Sequence, residues 1–269
     1  MGALMIAVAN CKGGCGKTTT AVNLAAELAA RQYRTLLVDL DPQGQAALGR
    51  APDRGGRTAH ELLHGATLRP DQVTLGAPGS VDLLPADPNY RPPATPRARA
   101  LAEALAGVAK RYDAIVFDTP PAADLPLVAA LAAAEFVLTP TQLTPLACDG
   151  VMRFAQVFFY AVTQLNPNLR AFAITPAQVD LRTRVQQTAM ARLRADFGPA
   201  RLFPAIRNDV TVAEAFGSGL PIREFRPLSR GAGDFAELAD VIEARWFDRA
   251  PGQRGFTATT SLAPQSHAC

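Results

Sequence analysis

Met5-Ile-Ala-Val-Ala-Asn-Cys-Lys-Gly-Gly-Cys-Gly-Lys-Thr-Thr-Thr20 is the stretch whose reading decides the fold. An apolar run, Met5 to Ala9, breaks into Gly13, Gly14 and Gly16. Lys17, Thr18 and Thr19 follow, and then an Ala/Leu-rich amphipathic segment from Ala21 to Ala30. This order is that of a strand, a phosphate-binding loop and a helix. Glycines lacking Cβ can adopt positive φ and let successive backbone N–H groups, including that of Cys15, close around phosphate oxygens. The helix starting near Lys17 adds its N-terminal partial positive charge. In such a loop Lys17 meets the β- and γ-phosphates and the Thr18 hydroxyl ligates Mg²⁺. Lys12, Lys17 and Lys110 are the chain's only lysines, every other cation being arginine, so two of the three fall in this loop. A flexible ammonium fits a tight phosphate nest where a planar guanidinium does not.

Two further segments fit the same chemistry. Thr35-Leu-Leu-Val38 reads as a buried parallel strand running into Asp39-Leu-Asp-Pro-Gln-Gly44. Alternation sends Asp39 and Asp41 to one side at a strand's carboxyl end, where open α/β sheets bind ligands. Either they serve a metal shell and orient water, or they cap a turn before Pro42. Tyr112-Asp-Ala-Ile-Val-Phe-Asp118 is an apolar strand ending in the carboxylate expected to hold Mg²⁺ directly or through water.

The loop departs from the ordinary pattern, which needs glycine where Cys11 stands. Lys-Gly-Gly-Cys-Gly-Lys-Thr-Thr, from Lys12, resembles the deviant phosphate loop of the ParA/MinD family of ATPases. Asp39-Leu-Asp-Pro-Gln-Gly44 and Asp118-Thr-Pro-Pro121 resemble the same family's switch segments. The resemblance implies an ATP- and magnesium-dependent ATPase in which Lys12 reaches the other subunit's nucleotide in a homodimer formed on ATP binding. Asp41 would position or activate the attacking water, and Asp39 and Asp118 would stand in the metal shell. It implies Pro176 and Arg207 near the adenine, at the ends of late strands. It also implies non-specific DNA binding through Arg201, Arg223, Arg226 and Arg230, and a ParB-like or cargo-adaptor protein that stimulates hydrolysis. The cargo of such proteins is a plasmid, a chromosome or a protein body such as a carboxysome or chemoreceptor cluster.

Further strands are expected at Val81–Leu84, Glu135–Pro140, Ala171–Thr175 and Arg201–Ile206. Helices are expected at Thr58–His64, Val151–Leu165 and Asp234–Phe247, the last with Phe235, Leu238, Val241, Ile242 and Trp246 at helical spacing. Residues 49–58 and the proline-rich 85–97 read as surface loops. Strands alternating with helices make a doubly wound, mainly parallel sheet with helices on both faces. At 269 residues and 48% hydrophobic, one α/β domain over 1–248 suffices, followed by a flexible tail over 249–269.

The longest apolar stretch, Leu125 to Leu138, is interrupted by Pro126 and Glu135. It falls short of a spanning helix, and no basic leader precedes the first strand, so a cytoplasmic protein is expected; the resemblance implies that it is nucleoid-associated, without membrane contact. Cysteines at 11, 15, 148 and 269 and histidines at 60, 64 and 267 show neither disulfide nor zinc spacing. Charge is concentrated: residues 181–230 hold nine arginines against four acids, the remainder 18 basic against 20 acidic residues. Such a concentration is the footprint of phosphate-backbone binding. Two rivals within the superfamily need other features. A MinD-like membrane ATPase needs a basic amphipathic tail, and an iron–sulfur ATPase needs two cysteines near the switch segments. A metabolic ATP-dependent ligase or kinase would need a small-molecule pocket.

Overall fold

The computed structural model describes residues 2–47, 56–77 and 79–247. The expected tail, most of the 49–58 loop, His267 and Cys269 lie outside the described residues. Seven parallel strands form one sheet: β1 (Leu4–Val8), β2 (Thr35–Asp39), β3 (Asp82–Leu84), β4 (Ala114–Asp118), β5 (Phe136–Gln142), β6 (Ala171–Val179) and β7 (Ile206–Arg207). Their order is β3-β2-β4-β1-β5-β6-β7. β1 lies between β4 and β5, so the chain steps one way and then the other from it. That reversal opens a crevice beyond the carboxyl end of β1.

Alternation along the strands divides the core into two layers. Ala7, Leu36, Val38, Ile115, Phe117 and Val137 face one layer. It is covered by α2 (Ala59–Leu63), α3 (Ala100–Leu105), α4 (Leu125–Ala133), α5 (Pro145–Tyr160) and α6 (Arg184–Phe197). Ile6, Val8, Leu37, Val116 and Leu138 face the other. There α1 (Lys17–Ala30) packs with α7 (Val210–Gly217), α8 (Ile222–Phe225) and α9 (Arg230–Trp246). The apolar stripe of α9 is core as expected: Phe235, Leu238 and Ile242 are each at most 1% exposed. Polar clamps hold this layer. The Asn23 Oδ1 accepts from the Ile222 N–H at 2.7 Å. The nearly buried Glu27 carboxylate receives both Arg31 and Arg223.

Several boundaries differ from the sequence reading. α5 begins at Pro145, six residues before Val151, because Thr144 caps it through the Ala147 N–H and proline suits the first helical turn. It ends at Tyr160, and a single wider turn continues to Leu165. α9 starts four residues early, where Ser229 caps the Ala232 N–H. β6 runs through Pro176 to Val179: β7 joins it only at Ala177 and Val179, so the missing proline N–H interrupts no pair with β7. The expected strand at 201–206 is reduced to Ile206–Arg207, since Pro199–Arg201 forms a helical turn. Helices α3, α4, α6, α7 and α8 had no sequence expectation; α6 is largely polar and buries only Ala189 and Leu193.

Candidate functional site

The loop after β1 is held from below. Asn10, fully buried, donates to the Pro140 carbonyl of β5 at 2.8 Å, and its Oδ1 accepts the Lys12 N–H at 3.1 Å. Gly14 and Gly16 adopt φ of 69° and 87°. Side chains at these positions would be strained even where space exists. Gly16 precedes the first residue of α1, and the Thr20 N–H closes the first turn on its carbonyl. Lys17, 6% exposed, donates to the Lys12 carbonyl at 3.0 Å, so its ammonium lies across the mouth of the loop. Thr18 and Thr19 occupy the first turn of α1, half-buried. The Lys12 backbone is pinned on both sides while its ammonium finds no partner among the described residues.

Register brings the two strand-end carboxylates together, Asp39 of β2 pairing with Asp118 of β4, itself beside Val8 of β1. Both are fully buried. Asp39 is committed to shaping its own loop: one oxygen accepts the Asp41 N–H at 3.0 Å, the other the Ala46 N–H at 3.1 Å. Neither Asp118 oxygen has a hydrogen-bond partner among the described residues, and the Thr18 hydroxyl lies near without completing one. Burial, and then Asp41, push the Asp39 carboxyl up to about 7 against the pull of its two N–H donors. Burial, then Asp39, hold Asp118 well above the usual carboxylate range, with Lys17 acting in the opposite direction.

An orphaned, dehydrated carboxylate beside a hydroxyl and a second carboxylate suits a divalent cation, which would ionise both acids. Among the described residues no cluster of three or more His, Cys, Asp or Glu could hold a metal by itself. That suits magnesium held by one or two carboxylates plus nucleotide phosphates.

Linkage gives this pair a pH signature. A native pKa above the unfolded value stabilises the fold fully below about pH 4, and that contribution is lost as pH rises through about 7. Without magnesium and nucleotide, Tm is expected to fall by ~5 °C or more between about pH 5 and about pH 8. In Asp118→Asn the part of that slope contributed by Asp118 disappears, while the part that Asp39 owes to burial and Asp41 remains. A flat profile in the parent protein contradicts the arrangement.

Asp41 sits half-buried at the rim, its Oδ1 accepting the Gln43 N–H at 3.0 Å. The turn-capping role is therefore real, and it leaves Oδ2 without a hydrogen bond among the described residues. Asp41 is close enough to act electrostatically on Asp39, Asp118 and Asp124. Burial raises the thiol pKa of Cys11 and of Cys15, with Lys17 pulling the other way. Neither is an activated thiolate, so both are small loop residues. Cys148 is 1% exposed in the core beneath α5, donating weakly to the Ala189 carbonyl, and is no dimer-bridging cluster ligand.

The two residues expected near the adenine lie on adjacent strands, Pro176 on β6 and Arg207 on β7. Pro176 is buried inside β6, three residues before the strand ends, rather than on a rim loop. Arg207 lines a cleft of about 760 Å³ with Val179, Asp180, Asn208 and Arg230. Its guanidinium grips the buried Asp234 carboxylate of α9. Gln178, in a left-handed conformation with φ of 55°, bonds Gln142, which donates to the Gly14 carbonyl. The end of β6 is thereby tied to the phosphate loop. Asn10, Gln142, Gln178 and Asp234 had no sequence signal beyond lying next to motif residues.

Of the arginines expected on DNA, Arg223 is engaged with Glu27. Arg226 is exposed, and Arg230 reaches the Asn208 carbonyl at 3.4 Å. Arg223 lies on α8, Arg226 directly follows it, and Arg230 opens α9. Arg201 stands apart, its guanidinium 5.7 Å over the Phe172 ring at the start of β6.

A parallel sheet with a glycine loop and buried carboxylates at its switch point defines a phosphate-loop nucleotide-binding protein. The AAA domain family model matches residues 3–171. The chromosome-partitioning ATPase Soj of Thermus thermophilus is 40% identical over 246 residues, 89% of this chain and 95% of that one. The solved structure of cobyrinic acid a,c-diamide synthase from Mycobacterium smegmatis with ADP and magnesium has a TM-score of 0.74 at 30% identity. It covers 91% of this chain and 95% of that one. The cell division ATPase MinD of Pyrococcus furiosus gives a TM-score of 0.73 at 25% identity, covering 91% and 99%. The chain belongs to the ParA/MinD family of ATPases.

Proposed function

We propose that this chain is a ParA-type positioning ATPase. ATP joins two copies into a homodimer, the dimer binds non-specific DNA, and hydrolysis releases it. The observation that carries this reading is Lys12: its backbone is clamped by Asn10, Cys15 and Lys17, while its ammonium is left without a partner among the described residues. A rigid base presenting an unspent cation beside the phosphate loop suits an acceptor supplied by a second subunit. Lys17, Thr18 and Asp118 hold nucleotide and metal, Asp39 shapes the loop and Asp41 orients water. Sites of this type work by positioning and charge neutralisation, so turnover is slow until a ParB-like or cargo-adaptor protein stimulates it.

DNA binding follows from the surplus of arginine over acid, of which Arg184, Arg194, Arg201, Arg226 and Arg230 remain exposed and outside the ion pairs. The protein would then be cytoplasmic and nucleoid-associated, its cargo a plasmid, a chromosome or a protein body. Similarity to Soj favours chromosomal cargo. No helix among the described residues is long and apolar enough to cross a membrane. The likeness to the diamide synthase structure supports a second reading, an ATP-dependent ligase. Stimulation of turnover by a small carboxylic acid, rather than by DNA and a partner protein, would favour it.

Sedimentation with a non-hydrolysed ATP analogue tests the dimer. The parent chain is expected to sediment as a dimer with the analogue and as a monomer with ADP, and Lys12→Ala to stay monomeric in both. An analogue-bound Lys12→Ala dimer would remove the role given to Lys12.

A further inference from the structure

His60, on the five-residue α2, is 1% exposed and makes two hydrogen bonds that determine each other. The Asp87 N–H donates to its Nδ1 at 2.9 Å, and its Nε2 faces the Leu40 carbonyl at 3.2 Å. A backbone N–H can only donate and a carbonyl can only accept. The ring is therefore neutral, with its proton on Nε2 and directed at Leu40. Burial holds its pKa below the usual histidine value, against the pull of Leu40, Asp87 and Asp41.

Leu40 lies between the two aspartates of the β2 switch segment. Its N–H donates to the Asp118 carbonyl at 2.9 Å, and its own carbonyl is taken by His60. The peptide leading into Asp41 is thus gripped from both sides, by β4 and by α2. α2 is itself fixed. Thr58 and Glu61 form a reciprocal cap, and the Ala59 N–H donates to the Pro85 carbonyl at 2.8 Å. The His60 ring also packs 4.2 Å from that of Tyr90, whose buried hydroxyl has no hydrogen-bond partner among the described residues.

We propose that His60 is a positioning residue for hydrolysis: its imidazole clamps the Leu40 carbonyl, fixes the direction of Asp41, and ties both, through Asp87, to the proline-rich segment 85–97. The proposal rests on the assignment of Asp41 to water orientation. It gives that proline-rich segment a role as well, because a displacement of Asp87 or Tyr90 reaches Asp41 through one ring. Hydrolysis then becomes sensitive to the segment while nucleotide binding, which uses the loop after β1, does not.

Three substitutions in the full chain separate the two bonds. His60→Gln can present an amide N–H where Nε2 stands and keep the bond to Leu40. His60→Asn can present an oxygen where Nδ1 stands and keep only the bond from Asp87. His60→Phe keeps the ring and neither bond. Measured as kcat and KM for ATP with Tm alongside, His60→Asn and His60→Phe are expected to lose about tenfold in kcat with KM within about twofold of the parent. His60→Gln is expected to stay within about twofold in both. Equal kcat in all three, or a His60→Gln loss as large as that of His60→Asn, overturns the proposal.

A second measurement needs no variant. With three histidines in the chain, ¹⁵N imidazole spectra should show His60 with a protonated Nε2 and a bare Nδ1. A proton on Nδ1 overturns the clamp. Asp41→Ala separates the two levels. If it hydrolyses ATP at the parent rate, the Asp41 assignment falls whatever the His60 variants do. If it is inactive and His60→Asn is fully active, only the His60 proposal falls.

Discussion

Asp41→Ala is expected to lower ATP hydrolysis by ~10²–10⁴, the range for losing a residue that orients or deprotonates a nucleophile. ATP affinity should change by less than about threefold. The separation follows from position: Asp41 stands at the rim with Oδ2 uncommitted, while phosphate and metal are left to Lys17, Thr18 and Asp118. Nucleotide remains bound without being consumed, so the variant should persist as the ATP-state dimer. Asp41→Asn should fall nearly as far, because it can still cap the Gln43 N–H but lacks the charge. Single-turnover hydrolysis and titration with a fluorescent ATP analogue check both halves. Parent-like turnover in Asp41→Ala would reduce Asp41 to the turn cap that its bond to Gln43 makes it.

Lys17→Ala should act at the earlier step. The residue is 6% exposed, and its ammonium donates to the Lys12 carbonyl, within the loop that it serves. Charge-assisted bonds to phosphate contribute ~1.5–3 kcal/mol each, so ATP affinity is expected to fall by ~10²-fold and hydrolysis to become undetectable. Lys17→Arg should not restore it, since a planar fork cannot follow the ammonium through the glycine loop. Near-normal ATP affinity in Lys17→Ala would contradict the placement of the phosphates. Lys17 also counters the raised pKa of Asp118. Its removal should therefore steepen the loss of stability toward alkaline pH in the metal-free protein, the opposite of Asp118→Asn.

Strand-end motifs were legible because they couple pattern with chemistry. An apolar run ending in glycines and Lys-Thr, or in Asp, states both a burial and a charge at one place, and register then delivered Asp39 beside Asp118. What failed to show were contacts between segments far apart in the chain. Nothing local to Asn10 marks it as the strut to Pro140, and nothing around Asp234 points to Arg207, 27 residues away. Helix starts at Thr144 and Ser229 were readable as a cap followed by a good first turn. They were missed because the apolar period becomes visible only in the second turn. α6 carried too little apolar surface to stand out from solvent-exposed chain. Arginine counts were visible but their partners were not: Arg223 belongs to the packing of α1 through Glu27. The proline-rich segment shows no period at all, and its bond to His60 emerged only once β2, α2 and the end of β3 were placed together.

The measurement closest to the central claim is retention of arbitrary duplex DNA by the parent chain and by Lys12→Ala, each with ATP, ADP or no nucleotide, at two salt concentrations. The account predicts retention by the parent with ATP alone. The logarithm of affinity should fall linearly with that of salt, with a slope of about −0.9 per neutralised phosphate, and Lys12→Ala should not bind in any state. Equal retention with ATP and ADP, or none in any nucleotide state, would contradict an ATP-switched DNA-binding dimer.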